Sequence, residues 1–593
     1  MKKPVAVRPA HWLAGLQNDT WHSTAPAEIV EAYASADGQE GWEAWTDYLE
    51  DRRGRPSLAK LLPDGARALL WGMPAPLAKS ETAELVGQLG LPESFQKRQR
   101  RRRWADDLAN WLDAASIATA SPAHAYECLA WAYALPRLPN CVGENLWWKL
   151  VNHLATTARE ARAADARCET LVGQMLAGEL SLALAYQIPE IRTCHDNLLT
   201  GWSVVAEGLN ALADADGVPS NLIMPILPAL MASWTRSRAV AEQIGGEMWQ
   251  APLSRRYELA LLSLARLTTV DDSLWQAADG FDLEEPTQRL MRHLASGKFT
   301  RRKHGNGKKL PSPAMHSEKH RFGLMRSNWL PQSPRLSIDY ADRVTRLELA
   351  TAGEMLCSGA WRLEVRLNGE SRTVAGEWET VCWHSDKDVD FLEIEAPLGE
   401  GLRVQRQVLL ARKDEVLLLA DAILASPAGR IEYRASLPVC THVGYHGVEE
   451  TCEGQWVGDI SRALVLPLGL SEWRSSAHHG ALEMTSDGLS LRQSCDGAAA
   501  YAALFVDLNG KRSKEACTWR QLTVAEQRTA RSADTSVGYR AQVGKTNWLI
   551  YRSLAAPSIR SLLGQQVKAE FLFARMKPGG DCLRLLETEP IDS

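Results

Sequence analysis

The spacing of apolar residues changes once along this chain of 593 residues, and that change constrains the fold more than any other feature. Between Pro26 and Gly297 the apolar residues recur at intervals of three and four, the period of an amphipathic α-helix. The clearest stripe comprises Leu198, Trp202, Val205, Leu209 and Leu212. Gly and Pro interrupt the period after this stripe, at Gly217 and Pro219, and again at Gly245. Repeated helix–loop–helix units of this kind predict antiparallel helix pairs that close wholly or partly into an α/α toroid.

In the C-terminal half the apolar residues alternate with polar ones, which is the period of a half-buried strand. Trp361–Leu367 and Leu402–Val408 alternate in this way, and Asn368-Gly369 supplies a hairpin turn after the first of them. Val416–Ala420 is apolar throughout, as expected for a strand that is buried on both faces. Many short strands over this length predict an antiparallel β-sandwich.

A charged segment that contains Gly and Pro lies between the two patterns. Because Arg301–Pro313 has no apolar face, we interpret it as an interdomain linker. The chain is also longer than one hydrophobic core usually supports. The sequence therefore predicts an α+β protein of two domains, with a helical toroid-like domain at 1–300, a linker at 301–320 and an antiparallel β-sandwich domain at 321–593.

Composition and charge exclude several classes of protein. Hydrophobic residues make up 45% of the chain and its net charge is −5, which argues against extended disorder and against general nucleic-acid binding. No apolar stretch follows the two N-terminal lysines and no apolar run is long enough to cross a membrane, so we expect a cytoplasmic protein without membrane association. The eleven cysteines are scattered without a C-x-x-C pair, which favours buried thiols over disulfides or a zinc site.

Short motifs in both halves are similar to those of one enzyme family. Trp147–Ala155 contains Asn-His-Leu within a predicted helix, and Gly178–Tyr186 follows it with Glu, Ser and Tyr. Phe322–Ser327 opens the β half, and Cys382–Asp386 lies further along it. These segments resemble the heparinase II/III-like polysaccharide lyases, and Cys382–Asp386 resembles a divergent, uncharacterised branch of that family.

One motif of that family is absent. Well-studied members carry His-x-His-x-Asp early in the β domain, whereas Val344–Glu354 contains no histidine. In addition, Gln187 follows Tyr186 at a position where the family commonly has a histidine. His384 is the candidate to replace the missing histidine of the β domain.

The resemblance implies β-elimination on a uronic-acid-containing glycan in a cleft between the domains. Removal of the C5 proton leaves negative charge beside a carboxylate, so the site needs a donor to that carboxylate, a base for the proton and an acid for the departing O4. Asn152 is the candidate donor, His153 or Tyr186 the candidate base, and Tyr186 the candidate acid. Such a site requires no cofactor, and the sequence assigns no metal.

Four further residues are candidates for contacting the acidic polysaccharide or oligosaccharide. They are Trp147, Arg192, His195 and His384. Every candidate has a plainer alternative: a polar pair within a helix for Asn152-His153, core packing for Tyr186, and a solvated helix start for Arg192 and His195. The 22 tryptophans suit sugar stacking or, more simply, core filling.

Three other polar clusters are weaker candidates. His384–Asp390 sets acids at a spacing of two, which suits a cation on a strand face or simply a solvated turn. His316 and His320 have a spacing compatible with a metal on a helix, but they fall in the predicted linker. Lys97–Arg103 suits a polyanion or a solvated helix start.

The leading function from the sequence is therefore polysaccharide-lyase-like cleavage. The alternative is a non-catalytic glycan-binding or scaffold protein that keeps the fold without the site. A hydrolase on the same helices is a third possibility, and it would need paired carboxylates. Glu144 and Glu179 are available as carboxylates, but their spacing does not single them out.

Overall fold

The computed structural model describes the chain in segments that form two compact units. The described residues are 20–34, 38–52, 56–62, 65–91, 95, 98–116, 119–245, 249–268, 312–330, 332–474, 480–556, 558–577 and 580–589. The first compact unit, called the helical unit, comprises the described residues up to 265. The second compact unit, called the β unit, comprises residues 266–268 and the described residues from 312 onward. Among the described helices, none combines the length and the apolar character that a bilayer crossing requires.

The helical unit is built from α-helices and short 3₁₀ turns, as the spacing of three and four predicted. The predicted stripe lies on one helix, where Val205, Leu209 and Leu212 are buried. The 3₁₀ turns are Gly65–Leu70, Leu135–Arg137 and Asn221–Ile226. The α-helices are Ala27–Ala34 (α1), Gly38–Asp51 (α2), Leu58–Leu61 (α3), Ala75–Ala78 (α4), Glu81–Gly90 (α5), Arg98–Ala115 (α6), Pro122–Ala134 (α7), Glu144–Ala164 (α8), Leu171–Gly173 (α9), Leu180–Gln187 (α10), Arg192–Leu212 (α11), Leu227–Ile244 (α12) and Ala251–Leu267 (α13).

Glycines stand where the sequence predicted that helices end. Gly217 lies in the turn after α11 with φ of 75°, and a Cβ atom there would come within 2.3 Å of the carbonyl carbon of Leu259. Only glycine accepts both the left-handed backbone and the close approach. Gly245 is the C-cap of α12. The two interruptions of the helical period are therefore confirmed as helix ends.

A buried helix lies among the others. α9 continues through a π-helical segment, Gln174–Glu179, into α10, and every residue from Gln174 to Gln187 is buried. This helix packs against α7, α8, α11 and α12. Because its polar groups have no access to water, they need internal partners. Gln174 donates to the carbonyls of Cys168 and Val204 at 2.8 and 2.9 Å and accepts from Trp234 Nε1 at 2.9 Å.

The β unit is an assembly of antiparallel strands, as the alternating pattern predicted. Its described strands form sheets of 15, 5 and 4 strands, and each described ladder is antiparallel. The strands are Met315–Ser317 (β1), Phe322–Arg326 (β2), Arg335–Asp339 (β3), Thr345–Thr351 (β4), Glu354–Leu367 (β5), Glu370–Arg372 (β6), Glu379–Ser385 (β7), Val389–Gly399 (β8), Leu402–Ala411 (β9), Val416–Leu437 (β10), Gly444–Gly447 (β11), Gly454–Val457 (β12), Arg462–Pro467 (β13), Gly480–Thr485 (β14), Gly488–Asp507 (β15), Cys517–Leu522 (β16), Ala525–Glu526 (β17), Thr529–Ala530 (β18), Ser536–Val543 (β19), Thr546–Ser553 (β20), Arg560–Leu562 (β21), Gln565–Val567 (β22), Phe571–Met576 (β23) and Cys582–Thr588 (β24).

Two local predictions in the β unit are confirmed. Asn368 and Gly369 have φ of 53° and 84°, as a type I′ turn requires, and Leu367 pairs with Glu370 across that turn. Val416–Ala420 is buried throughout, and this part of β10 is hydrogen-bonded to β9 on one side and to β15 on the other. All eleven cysteines lie among the described residues, and each is a thiol rather than half of a disulfide.

The predicted linker falls mostly outside the described residues, and the domain boundaries stay a prediction. α13 ends at Leu267, and β1 begins at Met315, inside the segment 301–320 that the sequence predicts as linker. Limited proteolysis of the full chain tests this prediction. We expect first cleavage between Arg301 and Lys309, because the sequence predicts a charged linker without an apolar face there. Resistant fragments that span this segment, with first cuts elsewhere, would contradict the boundary.

Candidate functional site in the helical unit

Asn152 and His153 are neighbours on α8 but lie on different sides of it. Successive helical residues are rotated by about 100°. The core side of α8 carries Trp148, Val151 and Leu154, which are buried, whereas Asn152 is exposed and His153 is half-buried. The exposed amide of Asn152 is therefore available to a ligand in solution.

The His153 side chain is enclosed by aromatic rings. Its ring meets Trp111 of α6 edge-on at 5.4 Å and lies 6.1 Å from the ring of His124. Its Nε2 atom is buried and has no hydrogen-bond partner among the described residues. Burial, assisted by the neighbouring His124, lowers the pKa of His153 below its ordinary value of 6.5, so the imidazole is neutral at pH 7.

His124 and Cys128 complete a cluster around His153 that no motif in the sequence predicted. Both lie on α7 one turn apart, and Cys128 Sγ is 3.4 Å from His124 Nε2. One ligand atom from each of His124, Cys128 and His153 lies within 4.8 Å of the other two. The signal in the sequence was His-x-x-x-Cys within a helical period, but nothing in the sequence joined it to His153, which is far along the chain.

Arg192 and His195 lie together at the start of α11, beside the first described segment of the chain. Arg192 is exposed, and its Nη2 donates to the carbonyl of Trp21 at 3.2 Å. The ring of His195 stacks on that of His22 at 3.5 Å with an angle of 12° between the planes. Asp196 Oδ1 lies 3.8 Å from Nδ1 of His195. The structure thus places one arginine and two imidazoles in the same neighbourhood.

Two contacts relate α8, which carries Asn152, to α11. The ring of Trp21, whose backbone bridges Ile191 just before α11, lies 6.1 Å from that of Trp148 near the start of α8. Arg162, near the other end of α8, pairs with Glu207 of α11 at 3.0 Å.

The two helices therefore run in the same direction. Asn152 lies about 15 Å before Arg162 along the axis, which is the level of the first two turns of α11. We call the exposed Asn152 of α8, together with Arg192, His195 and His22 beside the start of α11, the rim.

Tyr186 and Trp147 lie inside the helical unit. The Tyr186 side chain is 2% exposed, and its hydroxyl donates to the carbonyl of Pro56 at 2.5 Å. Trp147 is 0% exposed, and its Nε1 donates to the carbonyl of Leu135 at 3.0 Å. Buried groups engaged in this way suit the core-packing alternative, and neither belongs to the rim.

The two carboxylates considered for a hydrolase have different environments. Glu179 is 0% exposed and accepts two hydrogen bonds from Arg236, at 2.6 and 2.9 Å. This carboxylate is committed to the ion pair and is not available as a catalytic group. Partial burial raises the pKa of Glu144, at the start of α8. The structure therefore provides no pair built from these two acids.

The remaining candidates lie elsewhere. His384 lies on β7 of the β unit, 43% exposed, with its Nε2 3.7 Å from Asp386 Oδ2. Asp386 caps the following turn by accepting from the backbone of Asp388 and Val389. His316 lies on β1, where its Nε2 and the hydroxyl of Tyr340 are 2.6 Å apart.

The segment that lacks the family's histidines lies on β4, and the described part of the basic segment lies at the start of α6. β4, the strand that crosses the segment where the family carries its histidines, has the sequence TRLELAT. Lys97 lies outside the described residues, and the rest of the basic segment, from Arg98, forms the start of α6, where Arg103 is exposed.

Comparison with known proteins supports the architecture. No protein-family model and no curated protein matches the chain. Among solved structures, a mutant of heparan sulfate lyase HepC from Pedobacter heparinus matches with a TM-score of 0.60 and 12% identity, over 91% of this chain and 99% of that one. A heparinase III gene product matches with a TM-score of 0.63 and 10% identity, over 89% and 97%. This chain has the heparinase-like lyase fold.

The heparinase-like fold confirms the predicted fold class, a helical toroid followed by an antiparallel β-sandwich. At this level of identity the likeness concerns the fold, and the same fold can carry different functions. The function of this chain therefore depends on its own residues and on their geometry.

Proposed function

We propose that this protein is a polysaccharide-lyase-like enzyme that binds a uronic-acid-containing glycan at the rim and cleaves it by β-elimination. The observation that carries the proposal is the exposed Asn152 on α8 together with the exposed Arg192 and the stacked His22 and His195 beside the start of α11. This arrangement occurs on a fold whose solved examples are named heparan sulfate lyase and heparinase III.

Asn152 and Arg192 suit the recognition of a carboxylate. An amide N–H and a guanidinium both donate hydrogen bonds, and the guanidinium also supplies a positive charge. The C5 carbanion shares its charge with the adjacent carboxylate, so these donors stabilise the transition state more than the ground state. Both residues are exposed, and so they can contact a polymer without a rearrangement of the core.

His195 is the base in this proposal. Asp196 lies on the Nδ1 side of its ring, so Nε2 is the nitrogen that takes the C5 proton. The C5–H electron pair forms the C4=C5 double bond, the C4–O4 bond breaks, and its electron pair leaves with O4. The imidazolium then returns the proton to O4, so no further reactant is needed. Tyr186 and His153 have no part in this scheme, because the Tyr186 hydroxyl and the His153 Nε2 atom are buried.

A non-catalytic glycan-binding protein is the second candidate. Two observations favour it: the Tyr186 hydroxyl is bonded to the Pro56 carbonyl, and the β4 sequence contains no histidine. Such a protein would use Asn152 and Arg192 to hold the carboxylate but would leave the glycosidic bond intact.

A glycan panel tests both candidates. We expect at least one uronate-containing glycan to give a product with ultraviolet absorbance, because elimination leaves a double bond conjugated to the carboxylate. The panel contains sulfated uronates, unsulfated uronates and, as a control, neutral glycans of similar length. Binding of a uronate without absorbance would favour the second candidate. Failure to bind any uronate would contradict both.

A further inference from the structure

The cluster of His124, Cys128 and His153 is separate from the rim and has no part in the proposed elimination. α7 places His124 and Cys128 on one face, and α8 brings His153 up to them. Cys128 is 0% exposed and His124 is 7% exposed. One nitrogen and one sulfur are already 3.4 Å apart, and the third ligand atom lies within 4.8 Å of both.

We propose that His124, Cys128 and His153 bind a borderline-soft divalent metal ion of the zinc class. Imidazole nitrogen and thiolate sulfur are the ligands that such ions prefer. In a tetrahedral zinc site the metal–nitrogen distance is about 2.0–2.1 Å and the metal–sulfur distance about 2.3 Å, which places ligand atoms roughly 3.3–3.8 Å apart. The cluster is within about an ångström of this geometry, and small side-chain rotations close the difference.

The hydrogen bonding of the cluster favours a metal over simple packing. A buried imidazole nitrogen normally has a hydrogen-bond partner, because leaving it without one carries the full cost of removing it from water. His153 Nε2 is buried and has none among the described residues.

The surroundings balance the charge of a bound ion. A divalent ion with two neutral imidazoles and one thiolate carries a net charge of +1, after the Cys128 thiol has released its proton to solvent. The carboxylate of Glu127, next to Cys128 in the chain, offsets that charge. Its position is fixed by hydrogen bonds from Thr82 Oγ1 at 2.6 Å and from Trp111 Nε1 at 2.9 Å. Trp111 also stacks on His124, at 6.0 Å and 13°.

Metal binding would join α7 to α8 and hold the helix that carries Asn152. The bound ion would hold these two helices together and would take no part in catalysis. The proposal therefore does not depend on glycan cleavage. Because His153 is only half-buried, a water molecule can take the fourth position.

Metal titration of the untagged full chain tests the proposal. After treatment with a chelator, the chain should bind one equivalent of Zn²⁺. Co²⁺ should give visible d–d bands and a thiolate-to-metal charge-transfer band, which require a cysteine ligand in a tetrahedral site. Cys128→Ser should remove the charge-transfer band. His153→Gln should weaken Co²⁺ binding by about 10²-fold or more, since losing even an outer-shell partner costs 10–100-fold.

Matched controls separate the site from general effects. Cys194→Ser changes another fully buried thiol of the helical unit, and His446→Gln changes an exposed histidine of the β unit. Both controls should keep the spectrum and the stoichiometry of the parent chain. Circular dichroism checks that each variant is folded. Lack of stoichiometric Zn²⁺ binding by the parent chain would overturn the proposal, and so would a charge-transfer band that persists in folded Cys128→Ser.

Discussion

Replacing Asn152 by alanine should lower turnover of a cleaved uronate glycan by about 10²–10³-fold, the loss that accompanies removal of one oxyanion-hole donor. The reason is that the amide bonds to a carboxylate whose charge grows as the C5 proton leaves. The effect should appear mainly in kcat, since the interaction strengthens in the transition state. The measurement is the initial rate of ultraviolet absorbance on the glycan identified by the panel.

The control for Asn152→Ala is Asn210→Ala. Asn210 is also an exposed asparagine on a helix, near the opposite end of α11 from the rim. Its replacement should leave the rate within about twofold of the parent chain, because surface changes away from special features have small effects. A rate for Asn152→Ala within about twofold of the parent chain would remove Asn152 from the site. Equal losses in both would indicate a general effect on folding.

Replacing Glu179 by glutamine should destabilise the helical unit by about 3–5 kcal/mol, the usual cost of removing one partner of a buried ion pair. Glu179 and Arg236 are each 0% exposed and share two hydrogen bonds. Burial by itself would lower the pKa of Arg236, but Glu179 raises it above the ordinary value. The neutral glutamine would leave a buried guanidinium charge without compensation.

Amide hydrogen exchange in Gln174–Gln187 measures this effect within the full chain, because a protein of two units need not unfold in one step. The control is Glu242→Gln, which removes an exposed pair with Arg238 on α12 and should cost about 0.5 kcal/mol or less. A double replacement, Glu179→Leu with Arg236→Met, should recover part of the stability, since no charge is then left unpaired. An effect of Glu179→Gln as small as that of Glu242→Gln would contradict the buried pair.

Several features of this protein follow directly from local sequence. The spacing of three and four in α11 and the alternation in β5 depend only on which residues are apolar, because each backbone geometry has its own period. The turn at Asn368-Gly369 was equally predictable, since few residues accept a positive φ. The change of period also gave the order of helices before strands. These features are properties of short segments, and a short segment can be read in isolation.

The roles of individual residues depend on contacts between distant parts of the chain. Asn152 and His153 form a single motif in the sequence, yet one is exposed and the other is enclosed by α6 and α7. The sequence gives the rotation of about 100° between them, but helix packing decides which side faces solvent. The same is true of Tyr186, whose hydroxyl meets a carbonyl 130 residues away.

Sequence by itself determined the two kinds of secondary structure, their order and the positions of several turns. Tertiary structure alone decided that Glu179 pairs with Arg236, that His195 stacks on His22, and that Cys128 lies beside His124 and His153. The physical reason is the separation along the chain over which each effect acts. Backbone period and turn preference act between residues a few positions apart, whereas burial, ion pairing and ligand geometry depend on which distant helices the apolar faces bring together.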